Sequence, residues 1–183
     1  MILTLSQTVQ RAKNGDREAY GELYAYYYKE LYRYAYYCLR HEQDAEDVVA
    51  ETVACAFAQL KQLKKDEAFP MWLFSILSNQ VRRRKKAYVK EHQNLPLEDM
   101  ETLADEYTPQ SEERIDLYRA LSQLPEKERS IVLLAVVDGF TGNEIAQILK
   151  MKPSTVRSKL SRTLKRLQQS LSEAEQIQKG AAQ

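Results

Sequence analysis

The sequence contains few of the residues on which metal sites, disulfide frameworks and membrane spans depend. Its 183 residues include two cysteines and two histidines, with no pair at metal-ligand spacing. The isolated Cys38 and Cys55 therefore predict two buried thiols rather than a disulfide framework or a zinc site. No stretch approaches the roughly 18 apolar residues that a membrane span needs, and the N-terminal segment soon turns polar. We therefore expect no membrane span and a cytoplasmic protein.

Glycine and proline are also scarce, at five each, whereas 44% of the residues are hydrophobic and 29% are charged. This composition is typical of a folded, strongly helical protein, so the sequence predicts an all-α fold. The histidines are isolated, and no phosphate-binding loop or nucleophile-base spacing occurs. We therefore expect neither an enzyme nor a cofactor.

The net charge of +1 hides a division along the chain. Residues 1–90 hold 15 Lys and Arg against 11 Asp and Glu, residues 91–114 hold one Arg against eight acids, and residues 115–183 hold 11 bases against seven acids. Two basic lobes on either side of an acidic strip indicate contact with a polyanion at both ends of the chain.

Helical periodicity and helix-capping residues divide the chain into segments. In the first domain, residues 1–90, we predict a helix stop and a new N-cap at residues 14–16, helices from there to about residue 40, at 43–61 and at 71–88, and a polar loop at 61–70. Residues 91–111 are acidic and proline-containing, which predicts a flexible linker. A second, four-helix domain follows at residues 112–175, and residues 176–183 are predicted to be a disordered tail.

Residues 141–144 have the Thr-x-x-Glu form of a capping box, in which Thr141 and Glu144 satisfy backbone amides at a helix start. A short helix follows, residues 150–152 can form only a tight turn, and Pro153 can open another helix. Upstream, Pro125 suits a first helical position and Gly139 a helix end. The second domain therefore has a helix-turn-helix pattern.

One face of the last helix is expected to be apolar and the other cationic. The inward residues are Val156, Leu160, Leu164, Leu167 and Leu171, and the outward residues are Ser154, Arg157, Ser158, Ser161, Arg162 and Lys165. Residues 145–170 contain seven Lys or Arg and no acid. Cations near a helix C-terminus can simply favour its dipole, but the preceding capped helix and short turn favour a recognition helix in the major groove of DNA.

A second basic cluster follows the only tryptophan, Trp72, in the first domain. Its members are Arg82, Arg83, Arg84, Lys85, Lys86 and Lys90. A basic helix with aromatic residues at its start can hold an opened nucleic-acid strand, with an unstacked base in a pocket. Ordinary core packing remains the alternative for Trp72.

Acidic residues dominate the start of the helix predicted at 43–61. The helix dipole accounts for Asp44 and Glu46. Asp47 and Glu51 stand at i and i+4, where they repel one another unless a basic partner meets them, so this face is interpreted as a protein-binding surface.

Taken together, these segments resemble the extracytoplasmic-function sigma factors of bacterial RNA polymerase over nearly the whole chain. NGDREAYGELYAYYYKELYRYA, DAEDVVAETVACAF and FPMWLFSILSNQVRRR resemble three successive parts of the family's first domain. ALSQLPEKERSIVLLAVVDGFTGNEIAQILKMKPSTVRSKLSRTLKRL resembles its second domain. The chain departs from the family pattern at Ala50, where Gln is common, and it lacks the glycine often found in the 61–69 loop.

The resemblance implies a role for each surface. The acidic helix would contact the clamp helices of the largest subunit of RNA polymerase core, through Asp44, Asp47, Val48, Glu51 and Thr52. The 61–69 loop and the basic helix would capture a flipped base of the −10 promoter element, through Lys64, Lys65, Phe69, Trp72, Asn79, Arg82, Arg83 and Lys85. The recognition helix would hold the −35 element, through Ser154, Thr155, Arg157, Ser158, Ser161, Arg162 and Lys165. The second domain would also meet the polymerase flap, and an anti-sigma factor is an expected partner.

A stand-alone helix-turn-helix regulator that binds duplex DNA without polymerase is the alternative function. Such a regulator would bind a short specific duplex tightly and would gain nothing from added polymerase.

Overall fold

Polar capping residues mark the ends of the helices along most of the chain. The computed structural model describes residues 4–91 and 120–181, and this part of the chain contains helices and turns but no strand. The prediction of an all-α fold is confirmed. The helices are α1 Leu5–Lys13, α2 Arg17–Leu39, α3 Glu42–Gln59, α4 Phe69–Glu91, α5 Glu126–Val132, α6 Gly142–Leu149 and α7 Pro153–Ala181.

Contacts group the chain into two compact units, one within residues 1–104 and the other within residues 105–183. Helices α1 to α4 belong to the first unit and α5 to α7 to the second. The acidic linker predicted at residues 91–111 lies, apart from residue 91, outside the described residues.

The junction between α1 and α2 follows the sequence closely. Gly15 has a φ of +94°, a conformation that glycine adopts without a steric penalty. The Asp16 carboxylate then accepts hydrogen bonds from the backbone N–H groups of Glu18 (3.0 Å) and Ala19 (3.1 Å). The predicted helix stop and N-cap are therefore confirmed.

The core of the first unit lies between α2, α3 and α4, where large side chains are completely covered. Leu31 and Leu77 have no exposed surface, and the rings of Tyr34 and Phe74 meet edge to face with centroids 6.1 Å apart. Each such side chain contributes about 1.5 to 3 kcal/mol relative to an exposed position. This packing holds α2 against α4.

The connection between α3 and α4 is more ordered than the predicted polar loop. It contains two single 3-10 turns, Leu60–Gln62 and Asp66–Ala68, and α4 begins at Phe69, two residues before the predicted start. Pro70 fits inside the first turn of α4 because a proline there lacks only an N–H that would have no helical partner.

In the second unit, Pro125 is the N-cap of α5 rather than its first helical residue. The helix widens into a π-helical turn at Leu133–Val137 and ends before Gly139, which has a φ of +70°. Helix α7 continues to Ala181, so the predicted disordered tail is wrong for residues 176–181. No proline interrupts this stretch, and its Ala, Gln and Lys residues favour a helix. Residues 182–183 lie outside the described residues.

Arg129 is a buried cation that the sequence analysis did not single out. Its side chain is only 8% exposed. The guanidinium donates to the carbonyl oxygens of Leu121, Ser122 and Leu124, each at 2.9 Å. Arg129 therefore ties α5 to the helical turn at residues 120–122 and the bend that follows it.

Candidate nucleic-acid interface

The helix-turn-helix has the local geometry that its sequence predicts. The Thr141 hydroxyl accepts from the N–H of Glu144 (3.4 Å), and the Glu144 carboxylate accepts from the N–H of Thr141 (2.8 Å). After α6, Lys150 takes a left-handed conformation with a φ of 54°, and α7 begins at Pro153. The predicted capping box, turn and second helix are therefore confirmed.

The outward face of α7 matches the prediction, whereas its inward face differs at Leu164, and the side chain of Leu171, also predicted to face inward, lies outside the described part of α7. Ser154, Arg157, Ser158, Ser161, Arg162 and Lys165 are exposed, and Thr155 is half-buried. Leu164 was predicted to face the core, but it is 39% exposed, and Thr163 is buried instead, at 1%. Threonine can occupy this position because its hydroxyl donates to the Glu128 carboxylate at 3.2 Å.

Glu128 on α5 binds three side chains of α7, and these contacts were not predicted from the sequence. Besides Thr163, its carboxylate accepts from Lys159 Nζ at 3.3 Å and from the Arg166 guanidinium. Burial opposes ionisation of Glu128, but the hydrogen bond from Lys159 and the charge of Arg166 outweigh it and hold the Glu128 pKa below its ordinary value. Lys159 and Arg166 are thus paired with Glu128, whereas Arg157, Arg162 and Lys165 are the exposed bases within residues 153–170 that have no such ion pair.

Local contacts order the exposed arginines of α7. The Arg162 Nε donates to the Ser158 carbonyl at 3.2 Å, and the Ser158 hydroxyl donates to the Thr155 carbonyl at 3.1 Å. The aliphatic stem of Arg157 lies against Gly142 in the first turn of α6. The face is therefore short-polar and cationic, which suits the edges and phosphates of duplex DNA.

In the first unit, the basic cluster on α4 includes both exposed and paired members. Arg83, Lys86 and Lys90 are exposed, and Lys85 is half-buried. Arg83 donates to Gln80 at 3.2 Å, and Arg82 donates to Asn79 at 3.5 Å. The Arg84 guanidinium bonds to Asp44 of α3, a partner 40 residues away that periodicity cannot predict.

The loop before α4 presents cations outward and apolar residues inward. Leu63 and Phe69 are 7% and 2% exposed, whereas Lys64 and Lys65 are exposed. The prediction that Phe69 contacts DNA is wrong, because its ring is packed in the core between Tyr27 (5.7 Å) and Trp72 (6.0 Å). Trp72 itself is half-buried, so part of its ring remains accessible.

The acidic helix α3 separates into a buried and an exposed face. Asp47 and Glu51 are exposed, and Gln43 donates to Asp47 at 3.2 Å. Phe57, near the end of α3, is also exposed, at 53%, and its ring meets the Tyr20 ring edge to face at 4.9 Å. The ten-residue spacing places Phe57 about 80° around the helix from Asp47, so it borders the acidic face.

Three residues of α3 that were predicted to bind polymerase are largely covered by the rest of the first unit. Val48 and Thr52 are 2% and 0% exposed, and the Thr52 hydroxyl donates to the Val48 carbonyl at 2.7 Å. They follow Asp47 and Glu51 in sequence and are therefore turned about 100° toward the core. Asp44 is only 13% exposed in its ion pair with Arg84. Val48 and Thr52 are therefore buried and not available to polymerase, and the Asp44 carboxylate is engaged by Arg84 within the fold.

Metal-ligating side chains do not cluster in the described parts of the chain: no three His, Cys, Asp or Glu residues there could hold an ion together. Cys38 is buried as predicted, whereas Cys55 is half-buried and its Sγ accepts a hydrogen bond from Gln59 at 2.9 Å. None of the helices within residues 4–91 and 120–181 is long and apolar enough to cross a membrane.

Comparisons with known proteins agree with the division into two units. Residues 23–90 match the profile of Sigma-70 region 2, and residues 114–167 match that of Sigma-70, region 4. The chain is 31% identical over 153 residues to the ECF RNA polymerase sigma factor SigM of Mycobacterium tuberculosis, covering 84% of this chain and 77% of that protein. It is 23% identical to the ECF RNA polymerase sigma factor SigW of Bacillus subtilis, over 93% and 98% of the two chains.

Solved structures share the fold. The structure of CnrH in complex with the cytosolic domain of CnrY matches with a TM-score of 0.68 and 22% identity, covering 92% of this chain and 97% of that chain. The sigma factor RpoE in complex with the anti-sigma factor NepR from Bartonella quintana also matches with a TM-score of 0.68, at 23% identity over 83% and 96% of the two chains.

Proposed function

This chain belongs to the extracytoplasmic-function RNA polymerase sigma factors, and we propose that its exposed surfaces divide the work of promoter recognition between the two units. The domain boundaries that we propose are residues 1–90 for the first unit, which binds core polymerase and the −10 element, and residues 112–175 for the second, which binds the −35 element and the polymerase flap. The observation that carries this proposal is the separation of charge in the first unit: α3 exposes acids, whereas α4 exposes cations and the 61–68 loop exposes three lysines against one acid, Glu67.

The acidic face of α3 is the proposed contact with the clamp helices of the largest polymerase subunit. Asp47 and Glu51 offer two carboxylates one turn apart, and Phe57 adds an exposed apolar ring further along α3, at the border of this face. Exposed acids steer and orient a basic partner, and a partly exposed aromatic residue provides an anchor for it. The contact surface is therefore Asp47, Glu51 and Phe57, without Asp44, Val48 and Thr52.

The opened −10 strand is proposed to lie along the loop and α4. Lys64, Lys65 and Arg83 are exposed and can bind phosphates, and the half-buried Trp72 and Asn79 can face an unstacked base. Base stacking on an aromatic ring, together with cations along the backbone, is the usual way to hold single strands. Lys85, half-buried, and Arg82, bonded to Asn79, border the same surface.

The recognition helix α7 is proposed to read the −35 element, with the exposed Arg157, Ser158, Ser161 and Arg162 at the base edges. Ser154, Thr155 and Lys165 lie on the same face of α7 and would hold phosphates. An anti-sigma factor is a proposed partner, since the similar RpoE structure is itself bound to an anti-sigma factor. Such an inhibitor would cover the surfaces that otherwise meet polymerase and DNA.

Reconstituted transcription tests this function. We expect the purified chain to elute with core polymerase in gel filtration at low salt and to give transcripts from particular promoters only when both are present. Failure to bind core at low salt would contradict the proposal. Tight binding of the free chain to a specific duplex, with no gain on adding core, would instead support a stand-alone regulator.

Replacing Arg157 or Arg162 with alanine is expected to relax base preference within the −35 element. Loss of one base contact costs about 1 to 3 kcal/mol, which corresponds to roughly a tenfold to hundredfold loss of discrimination at one position. Selection of a randomised −35 library with holoenzyme measures this preference. Lys165→Ala is the matched control, because loss of a phosphate contact should weaken all sequences equally and reduce the salt dependence. An unchanged preference in both arginine variants would remove these residues from the readout.

A further inference from the structure

The 61–68 loop contains two acids that a nucleic-acid surface would be expected to exclude. Asp66 and Glu67 follow directly after Lys64 and Lys65, two of the three exposed lysines of the loop. An uncompensated carboxylate at this position would repel a phosphate backbone. The loop can therefore bind a strand only if other groups compensate the charge of these carboxylates.

Both acids are bound by helix α1. Lys13 Nζ lies 2.6 Å from Asp66 Oδ1, and the Ser6 hydroxyl donates to Glu67 Oε1 at 3.3 Å. These bonds join residues more than 50 positions apart in the sequence, with separations of 53 and 61. Helix α1 thus holds the second 3-10 turn of the loop at two points.

The Lys13–Asp66 pair is more sheltered than the neighbouring ion pairs of α1. The Lys13 and Asp66 side chains are 16% and 19% exposed, whereas Arg11 and Asp16 are 36% and 33% exposed in their own pair. A partly desolvated pair is screened less by water and salt than an exposed one. It can therefore fix the position of a short segment that has few backbone hydrogen bonds of its own.

We propose that Lys13 and Asp66 are positioning residues for −10 recognition: by binding Asp66, α1 fixes the shape of the loop and neutralises the carboxylate that follows Lys65. This inference rests on the proposed function, in which the 61–68 loop and α4 hold the opened −10 strand. Lys13 acts through Asp66, and we assign it no contact with DNA.

The test compares holoenzymes that carry Lys13→Met, Asp66→Asn, Lys13→Arg or the exchanged pair Lys13→Asp with Asp66→Lys. Each is measured by selection from a library randomised in the −10 element, by core binding and by thermal melting. Arg11→Met is the matched control, since it removes a more exposed ion pair from the same helix without touching the loop.

We expect Lys13→Met to reduce the discrimination between bases in the −10 element roughly tenfold. A residue within a packed network alters a coupled site on about this scale. Core binding and −35 preference should stay unchanged. Asp66→Asn, which removes the loop charge, should lose less than Lys13→Met. Lys13→Arg and the exchanged pair should restore most of the −10 preference, and Arg11→Met should resemble the wild type.

Two results would overturn the inference. One is an unchanged −10 preference in Lys13→Met. The other is an equal loss on all −10 sequences that neither Lys13→Arg nor the exchanged pair restores, which would show a general structural role. If Lys13→Met does not fold, Asp66→Asn and the exchanged pair take its place. The inference then fails if Asp66→Asn leaves the −10 preference unchanged, or if it weakens binding to all −10 sequences equally and the exchanged pair restores none of the loss. A wild-type chain that fails to bind core or to select any −10 sequence would instead refute the proposed function itself.

Discussion

Arg129→Met is expected to unfold the second unit while leaving the first unit folded. Methionine retains most of the apolar stem but provides no donor for the carbonyl oxygens of Leu121, Ser122 and Leu124. Breaking a buried network of charged hydrogen bonds costs about 3 kcal/mol or more. Because whole domains are stable by only about 5 to 15 kcal/mol, and small ones fall at the lower end, the second unit should lose most of its stability.

Hydrogen exchange on the full chain would locate this effect, because amides in α5 to α7 should exchange far faster in the variant while those in α2 to α4 keep their protection. Lys127→Met is the matched control: it also replaces a basic residue with methionine, two residues earlier on the same helix, where the side chain is exposed. Wild-type protection in α5 to α7 of Arg129→Met would show that the guanidinium contributes little. Unfolding by Lys127→Met would show that the substitution acts through the helix rather than through the buried bonds.

Reversing Asp47 and Glu51 together to lysine is expected to abolish binding to core polymerase in practical terms. Both carboxylates are exposed, so the change should leave the fold intact. Losing one partner of a charge pair that becomes buried in an interface costs about 2 to 5 kcal/mol, so we expect the affinity to fall by roughly a hundredfold or more. A fluorescence titration with core at fixed salt measures this loss.

A second double reversal, Glu42→Lys with Glu46→Lys, separates the specific face from net charge. These two acids are also exposed on α3, but they lie toward Tyr32, whose pKa rises to about 12 through burial and the proximity of both carboxylates. This control changes the charge by the same amount and should retain most of the core affinity. Equal losses in the two double variants would argue for a general electrostatic effect and against a defined face.

Local sequence features predicted the helices and the helix-turn-helix well. The caps at Asp16 and Thr141 and the turn at Lys150 stand where the residues place them. All six outward positions predicted on α7 are exposed. These features depend on side chains within four residues of one another, so periodicity and capping rules are sufficient to find them.

The predictions that were wrong share one physical cause, which is packing against residues from other parts of the fold. Leu164 and Thr163 both fit a helical repeat, and the choice between them depends on Glu128, which lies 35 residues away in the sequence. Val48 and Thr52 are adjacent to exposed acids, but α3 packs against two other helices, so its exposed strip is narrower than the sequence pattern suggests. Phe69 was predicted to stand in a polar loop, but it is the first residue of α4, and its ring is buried between Tyr27 and Trp72.

The amino-acid sequence alone thus determined the class of fold, most helix ends and the cationic side of α7, because each follows from interactions along a short stretch of backbone. Only the tertiary structure decided which charges are available to a partner. Arg84 with Asp44, Lys13 with Asp66 and Glu128 with Lys159 join residues that lie 31 to 53 positions apart. A charge that is paired inside the fold and one that is open to DNA look alike in sequence, and they differ only in what packing brings beside them.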